Sequence, residues 1–236
     1  MKHQLHLNLF IQSRGHHEAS WRHPLSSPLA LTDIAYIQDL ARRAEAACFD
    51  SIFLGDTLAL GEDMQAPQAW LEPITVLGAL AVSTSRIGLI ATASTTYTEP
   101  FNLARQFASL DHISNGRAGW NIITTANDDA AYNFSQKSHM EKTRRYERAK
   151  EFVDICTALW DSWDDDALTI DRASGIFADT AKIFRVGGDC FAILFSRMNS
   201  AADTVGAELV EERDAIQARN GGPPCGHAPR LCAGPP

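Results

Sequence analysis

Short runs of β-forming residues alternate with amphipathic helical stretches over the first two thirds of this chain. Parallel strands joined by crossover helices give this pattern, because the chain must return to the same end of the sheet before each new strand. The pattern predicts four strands, over residues 5–11, 51–54, 86–94 and 117–125. It also predicts a helix capped by Thr32, one beginning near Pro73, and two more over about 100–112 and 143–163. The chain is therefore expected to be an α/β protein.

Two architectures consist of consecutive βα units: the open doubly wound sheet and the (β/α)8 barrel. A doubly wound sheet usually carries G-x-G-x-x-G after its first strand, and this chain has no such motif. The barrel is therefore preferred. In a barrel the carboxyl ends of the strands surround one mouth, so side chains at these ends become neighbours. The residues expected to meet there are Phe10, Asp56, Ser94, Thr96 and Asn121.

The five cysteines are widely spaced and include no C-x-x-C pair. This spacing predicts neither a disulfide framework nor a structural zinc site. Cys48 ends the apolar stripe of the first helix, and Cys156 lies in the stripe of the last helix, which runs from Tyr146 to Trp163. Both cysteines are expected to be small core residues.

The charge of the chain limits its partners. Lysine and arginine number 21 against 29 aspartates and glutamates, for a net charge of -8. This balance disfavours nucleic acid or an anionic membrane surface as a partner. The longest apolar runs fall far short of the ~20 residues that span a bilayer. Polar residues also interrupt the N-terminal segment, which argues against a cleavable signal. We therefore expect a cytoplasmic protein.

The composition changes abruptly near the C-terminus. No proline lies between residues 101 and 222, yet five of the ten prolines fall within 223–236. Four further βα units would need on the order of 120 residues, more than the chain has left. We expect residues 1–186 to hold only about the first four βα units of a barrel, and residues 187–236 to be an irregular, disordered tail. A frameshift or an early end of the reading frame is the hypothesis for this change, and translating the other two frames tests it.

An ordered series of segments resembles a known family. The segments are SRGHHEASWRHP, FDSIFLGD, the long block from Glu72 to Thr125, and RYERAKEFVDICTALWDSWDDDAL. Together they are similar, over about residues 4–183, to the flavin-dependent monooxygenases of the bacterial-luciferase-like superfamily, specifically the nitrilotriacetate monooxygenase component A group. The resemblance implies a (β/α)8 TIM barrel. It also implies that reduced FMN from a separate NADH:FMN reductase reacts with oxygen and that a small organic substrate is oxygenated.

The resemblance further implies that the flavin contacts Asp56, Ser94, Thr96, Asn121 and Tyr146. A flavin is an apolar tricycle with a polar pyrimidine edge, so it needs an apolar slot with a few fixed hydrogen-bonding groups. Simpler interpretations stay open. Asp56 could cap the turn after its strand, and Ser94 and Thr96 could be small barrel-lining residues. Asn121, inside an apolar strand, needs either a ligand or a satisfied network in the core.

Two histidines, His16 and His17, are candidate catalytic residues at the barrel mouth, near the substrate or the oxygen chemistry. The alternative is that they belong to a solvated loop. No metal site is expected there, because His17 and His23 are unusually spaced for ligands and no second cluster follows.

Two charged segments are expected to be solvated. The basic run over residues 142–150 is expected to form an exposed helix face with a Glu141–Arg145 pair. Residues 164–166 are expected to form an exposed acidic turn, because the further ligands of a calcium loop are missing. Trp160 and Trp163 are expected to pack in the core.

Two other functions stay open. The chain could be a catalytically inactive fragment of such an enzyme, with unpaired strand edges, that is unstable or persists only by associating with another chain, for example as a homo-oligomer. A metal-dependent barrel hydrolase would need carboxylate or histidine ligands at several strand ends, and only Asp56 qualifies. Flavin binding and coupled oxygenation distinguish an enzyme from a fragment.

Overall fold

The computed structural model describes residues 5–12, 14–17, 19–60 and 71–186 of the 236-residue chain. Its main sheet has four parallel strands, hydrogen-bonded to one another in sequence order. Their register places Phe10 beside Phe53, and Phe53 beside Ile90. The strands are β1 (Asn8–Ile11), β2 (Ser51–Leu54), β3 (Gly88–Ser94) and β4 (Ala118–Ile123).

The α-helices that connect and follow these strands begin and end at recognisable signals. They are α1 (Ile34–Ala46), α2 (Pro73–Ala81), α3 (Pro100–Ser114), the short α4 (Ala130–Asn133) and α5 (Lys142–Trp160). Asp33 caps α1 and Glu72 caps α2, each accepting backbone N–H groups that have no partner inside the helix. α3 ends at Asn115, whose φ of 56° is left-handed, as the Asn-Gly turn predicts. None of the helices in the described part of the chain is long and apolar enough to cross a membrane.

The two faces of the main sheet have different surroundings. One face carries Trp120, which packs against Phe107 of α3 and against Phe152 and Trp160 of α5, with ring centroids 5.7, 5.9 and 6.4 Å away. Phe107 and Phe152 are almost fully buried, and burying a side chain of this size contributes about 1.5–3 kcal/mol. The predicted core position of Trp160 is thus confirmed.

The other face of the sheet points away from these helices, because successive side chains of a strand alternate between faces. It carries Phe10, Phe53, Ile90 and Asn121, all at least partly exposed. Helices outside and an inner face with polar strand ends are the arrangement of a (β/α)8 barrel over four of its units. The predicted order of the βα units is confirmed.

Several predicted boundaries are wrong. β1 begins at Asn8 rather than at residue 5, α1 begins after Asp33 rather than after Thr32, and α5 ends at Trp160 rather than at Trp163. Cys48 lies beyond α1, is exposed, and has a left-handed φ of 61°, so its predicted core position is also wrong. The apolar spacing continues past Ala46, but the chain must turn there to enter β2. Cys156 is buried, as predicted.

A small antiparallel sheet after α5 was not predicted. It consists of β5 (Leu168–Asp171) and β6 (Ile176–Ala178), which are too short and too exposed to show alternation in the sequence. The Asp171 carboxylate shapes the turn by accepting hydrogen bonds from the N–H of Ala173 and the hydroxyl of Ser174, at 2.8 and 2.6 Å. Residues 164–166 are exposed, as predicted. The predicted irregular tail, 187–236, lies outside the described residues.

Candidate functional site at the strand ends

Three hydroxyl side chains meet where β3 and β4 end. The buried Ser94 Oγ accepts hydrogen bonds from the Thr125 hydroxyl at 2.6 Å and from the N–H of Thr96 at 3.1 Å. The Thr96 hydroxyl in turn donates to the carbonyl of Thr124 at 2.8 Å. A serine hydroxyl that accepts both of these bonds still has its own proton to donate. The structure thus brings the predicted Ser94 and Thr96 together in one buried cluster.

Asn121 lies on β4 directly beside Thr92 of β3. Its Nδ2 donates a hydrogen bond to the Thr92 hydroxyl at 3.0 Å, and the side chain is half-buried. Thr92 and Ser94 are two residues apart on one strand, so their side chains point to the same face. The bond to Thr92 uses one of the two donors of the Asn121 amide. The amide therefore takes part in a core network and keeps hydrogen-bonding capacity toward the inner face.

Asp56 follows the end of β2 and is half-buried. Burial raises the pKa of its carboxyl above the usual value. A hydrogen bond from the Thr57 backbone opposes this rise, and the charge of Glu72 adds to it. The bond with Thr57 supports the turn-capping interpretation, whereas a raised pKa at a strand end is typical of a functional carboxyl.

Aromatic rings form the β1 side of this region. The rings of Phe10 and Phe53 lie 4.6 Å apart, and the edge of His16 meets Phe10 with the centroids 4.8 Å apart. Gly55 allows the close approach of Phe10, since a Cβ at this position would lie 3.1 Å from the ring. Phe10 remains 37% exposed on the inner face. The structure thus provides an apolar surface on the same face of the sheet as Ser94 and Asn121.

The two candidate histidines have different surroundings. His16 Nε2 lies 3.4 Å from the Phe10 carbonyl oxygen, so His16 sits at the end of β1. His17 is exposed in the following loop, where its Nδ1 accepts a hydrogen bond from the N–H of Ala19 at 3.1 Å. Only His16 contacts the strand that carries Phe10.

Two arginines of α5 bind the strand ends, which corrects the prediction that residues 142–150 form a solvated face. Arg145 Nη1 donates to the carbonyls of Thr124, at 3.2 Å, and of Thr125. Arg148 donates to the carbonyls of Thr95 and Thr98 at 3.0 and 3.1 Å. Both arginines precede Phe152 at helical spacing, so they continue the buried stripe of α5.

Their helical spacing from Phe152 explains why Arg145 and Arg148 face the sheet and not the solvent. In the sequence the stripe was extended to Tyr146, whose side chain is 59% exposed, instead of to Arg145. Glu141 caps α5 by accepting the N–H of Arg144 at 3.2 Å, and the predicted Glu141–Arg145 pair gives way to the contacts of Arg145 with β4. Within the described residues, Tyr146 makes no hydrogen bond to the strand ends.

A further pair of residues, Tyr97 and His139, was missed by the sequence reasoning. Nε2 of His139 lies beside Nη1 of Arg145 and 3.0 Å from the Thr125 carbonyl oxygen, and the other ring nitrogen, Nδ1, lies 2.5 Å from the Tyr97 hydroxyl. The Tyr97 ring stacks on Phe134 with the centroids 4.5 Å apart. Burial raises the pKa of Tyr97, although Arg145 opposes the rise. These contacts hold the loops after β3 and β4 together, but no local sequence pattern joins residues so far apart.

The described residues hold no group of three His, Cys, Asp or Glu side chains that could share a metal ion. Donors and acceptors around Ser94, Thr96 and Asn121, next to the apolar surface of Phe10 and Phe53, instead suit an organic ligand that is largely apolar with one polar edge. This geometry fits the requirement of a flavin.

Comparison with known proteins gives the family. The model of the luciferase-like monooxygenase family matches residues 6–183. The chain belongs to this family. The luciferase-like monooxygenases adopt the barrel that the βα order predicts, so the predicted family and fold class are both confirmed.

Individual luciferase-like relatives support the assignment. The chain is 47% identical over 196 residues to N-acetyl-S-(2-succino)cysteine monooxygenase of Bacillus subtilis, covering 81% of this chain and 44% of the relative. It is 44% identical over 193 residues to nitrilotriacetate monooxygenase component A of Aminobacter aminovorans, covering 76% and 43%. A crystal structure of riboflavin lyase with modified FMN and riboflavin matches with a TM-score of 0.71 and 29% identity, over 83% of this chain and 49% of that one. The chain thus spans less than half the length of these relatives.

Proposed function

We propose that this protein acts as an FMN-dependent monooxygenase, which receives reduced FMN from a separate NADH:FMN reductase and uses oxygen to oxygenate a small organic substrate. The observation that carries the proposal is the hydroxyl and amide cluster of Ser94, Thr96 and Asn121 on the same face as Phe10 and Phe53. Family membership supports the flavin chemistry. The name of one relative, a monooxygenase component A, supports a system in which a second protein supplies the reduced flavin.

The residues of this chain would divide the work of holding the flavin. Phe10, Phe53 and Ile90 would contact its apolar rings, while the Ser94 hydroxyl and the Asn121 amide would bind its polar edge. Thr96 would position Ser94 through its backbone N–H. When bound as reduced FMN, the flavin supplies the electrons that activate oxygen. The protein's contribution is orientation and the exclusion of water from the inner face.

Three other residues would lie at the rim of the site. Asp56, whose pKa is raised by burial, would hold or release a proton at its carboxyl next to the end of β2. His16, at the end of β1, is the stronger candidate of the two histidines for contact with the substrate, and His17 would approach from the loop. Tyr146, one residue beyond Arg145 on α5, would reach the flavin from the exposed side.

A second candidate is that the 236-residue polypeptide binds no flavin and is catalytically inactive by itself. The half-exposed inner face favours it, because Phe10, Phe53 and Ile90 need cover to exclude water. A second copy of the chain could supply this cover as a homo-oligomer. Light scattering during size-exclusion chromatography measures whether the chain is a monomer.

The experiment that tests the proposed function is a titration of the purified chain with FMN, followed by quenching of flavin fluorescence. Asn121→Ala removes an amide of the proposed site, and Asn102→Ala removes an exposed amide of α3 as the matched control. One hydrogen bond corresponds to about 0.5–1.5 kcal/mol, so we expect Asn121→Ala to weaken FMN binding about 2- to 12-fold. Equal affinities of the two variants would refute the placement of the flavin.

Turnover is measured separately. A flavin reductase, NADH and FMN are added, and oxygen uptake is compared with hydrogen peroxide release. Oxygenated product formed in proportion to NADH supports the monooxygenase. Complete conversion of oxygen to peroxide with every substrate tried, or no flavin binding at all, supports the inactive chain.

A further inference from the structure

Thr125 has a backbone conformation that is unusual for its residue type. It lies just beyond β4 and has a left-handed φ of 50°. A β-branched residue rarely adopts a positive φ, because its Cβ crowds the backbone, so surrounding contacts must hold it there. Thr125 is only 7% exposed, and its hydroxyl donates to Ser94 Oγ at 2.6 Å. The strained backbone of Thr125 thus belongs to a residue that contacts the proposed flavin site.

Arg145 holds the carbonyl of this strained residue. Its Nη1 donates to the Thr125 carbonyl and, at 3.2 Å, to the Thr124 carbonyl. Nε2 of His139 lies 3.0 Å from the same Thr125 oxygen. A guanidinium is always charged and its donors have a fixed geometry, so Arg145 restrains the two carbonyls more strongly than a neutral donor would. Among the described contacts, Arg145 reaches Thr125 through its carbonyl and not through its hydroxyl.

The position of the Thr125 hydroxyl determines which hydrogen bonds Ser94 can offer a ligand. The Ser94 oxygen accepts from the Thr125 hydroxyl and from the N–H of Thr96, and these two bonds use both of its lone pairs. Its O–H group is what remains, so in this arrangement Ser94 acts toward a ligand as a donor. A relaxation of Thr125 to a negative φ would withdraw its hydroxyl. The Ser94 side chain would then rotate freely and could also accept.

We propose that Arg145 is a positioning residue: it holds Thr125 in its left-handed conformation, so that the Ser94 hydroxyl donates to an acceptor atom on the polar edge of the flavin. This role rests on the proposed function. A fixed donor stabilises the electron-rich reduced flavin more than the oxidised form. Arg145 therefore acts through Thr125 and Ser94 to favour the reduced FMN that the proposed reaction uses.

The test is a double-mutant cycle of Arg145→Met and Thr125→Val in the 236-residue protein, with FMN affinity measured by quenching of flavin fluorescence. Thr125→Val keeps the carbonyl and the β-branched shape and removes only the hydroxyl. Each single variant should weaken FMN binding about 3- to 10-fold, as one lost hydrogen bond does. The double variant should bind no more weakly than the weaker single variant, because both changes remove the same effect. Independent losses, which multiply to about 10- to 100-fold, would overturn the proposal.

Further variants separate positioning from charge and from folding. Arg144→Met removes the same charge from an exposed neighbour on α5 and should change FMN affinity less than about 2-fold. Arg145→Lys keeps the charge and one donor group, and should bind FMN within about 3-fold of wild type. Thr125→Val changes no charge, yet it should lower the midpoint potential of bound FMN, and an unchanged potential would contradict the direction of the Ser94 proton. Arg145→Gln, which keeps a neutral donor, replaces Arg145→Met in the cycle if the methionine variant does not fold.

Urea unfolding without flavin distinguishes a failure of this proposal from a failure of the proposed function. Thr125→Val should lower the urea midpoint of wild type at least twice as much as that of Arg145→Met, because the hydroxyl has already left Ser94 in the latter. This result without any FMN binding would refute the proposed function and leave the hold of Arg145 on Thr125 standing. FMN binding by the wild type, with equal midpoint shifts and multiplying affinity losses, would overturn the positioning role and leave the proposed function intact.

Discussion

The bond between Ser94 and Thr125 offers the sharpest test of the strand-end cluster. Ser94→Ala removes the acceptor of two hydrogen bonds, from the Thr125 hydroxyl and from the Thr96 N–H, in a position only 2% exposed. A buried donor left without a partner costs about 1–3 kcal/mol. Because the Thr125 hydroxyl can rotate, we expect Ser94→Ala to lower the free energy of unfolding by about 2 kcal/mol.

A double variant tests whether this loss of stability comes from the hydrogen bond between Ser94 and Thr125. Thr125→Val keeps the shape of the side chain and removes its hydroxyl, at an expected cost of about 1 kcal/mol. Removing both partners leaves fewer unsatisfied groups than the two single changes together. The Ser94→Ala/Thr125→Val protein should therefore be more stable than additivity predicts by about 0.5–1.5 kcal/mol.

Urea unfolding at 25 °C, followed by tryptophan fluorescence and circular dichroism, gives the four free energies. Ser109→Ala is the matched control, because Ser109 is exposed on α3 and, among the described residues, its hydroxyl bonds only to the carbonyl one turn before it, at 2.8 Å. It should change stability by less than about 0.5 kcal/mol. If the two single changes add to within about 0.3 kcal/mol, the hydroxyls are not coupled and the cluster is not as described.

The remaining predictions concern other parts of the chain. Desolvation raises the pKa of Glu45, but hydrogen bonds from the N–H groups of residues 85–87 outweigh it, so the pKa is lowered overall. The stability that ionised Glu45 contributes is therefore present above pH ~4.5 and lost as pH falls through the lowered pKa; the stability gap between wild type and Glu45→Gln should shrink in acid unfolding titrations. Arg117 donates to the carbonyls of Ser114, Ile87 and Ala81 at 2.7–2.8 Å, so Arg117→Met should cost about 2 kcal/mol in urea unfolding; an unchanged midpoint would contradict this. Burial raises the pKa of the Cys156 thiol to about 12, so at pH 8 alkylation mapped by mass spectrometry should label exposed Cys48 in the native protein and Cys156 only after unfolding.

Much of the fold could be predicted because each βα unit has its own local signal. The strand Ser51–Leu54 was predicted with its exact bounds, and Pro73 and Asn115 mark helix ends through their own backbone preferences. Boundaries were wrong where periodicity continued beyond the hydrogen-bonded element, as at Cys48. The β5–β6 hairpin was missed because strands of three and four exposed residues carry almost no pattern.

The sequence likewise predicted some residues of the candidate site and missed others. Ser94, Thr96 and Asn121 could be singled out because hydroxyls and an amide at strand ends stand out against apolar neighbours. Arg145 and Arg148 could not, because a basic helix turn is usually solvated and only the packing of α5 against α3 brings these two side chains onto the strand ends. The spacing of both arginines from Phe152 was the one signal that favoured burial.

The sequence by itself determined the order of the four βα units and the polar residues at the end of each strand, because strand alternation, helical spacing and turn residues act over a few neighbouring positions. Only the tertiary structure decided that Arg145 bridges His139 and β4 and that Tyr97 meets His139. These contacts join different elements, so they depend on how helices and loops pack across the sheet. Hydrogen bonds and charged contacts between different elements do not recur at a fixed spacing along the chain, so the sequence shows no pattern that predicts them.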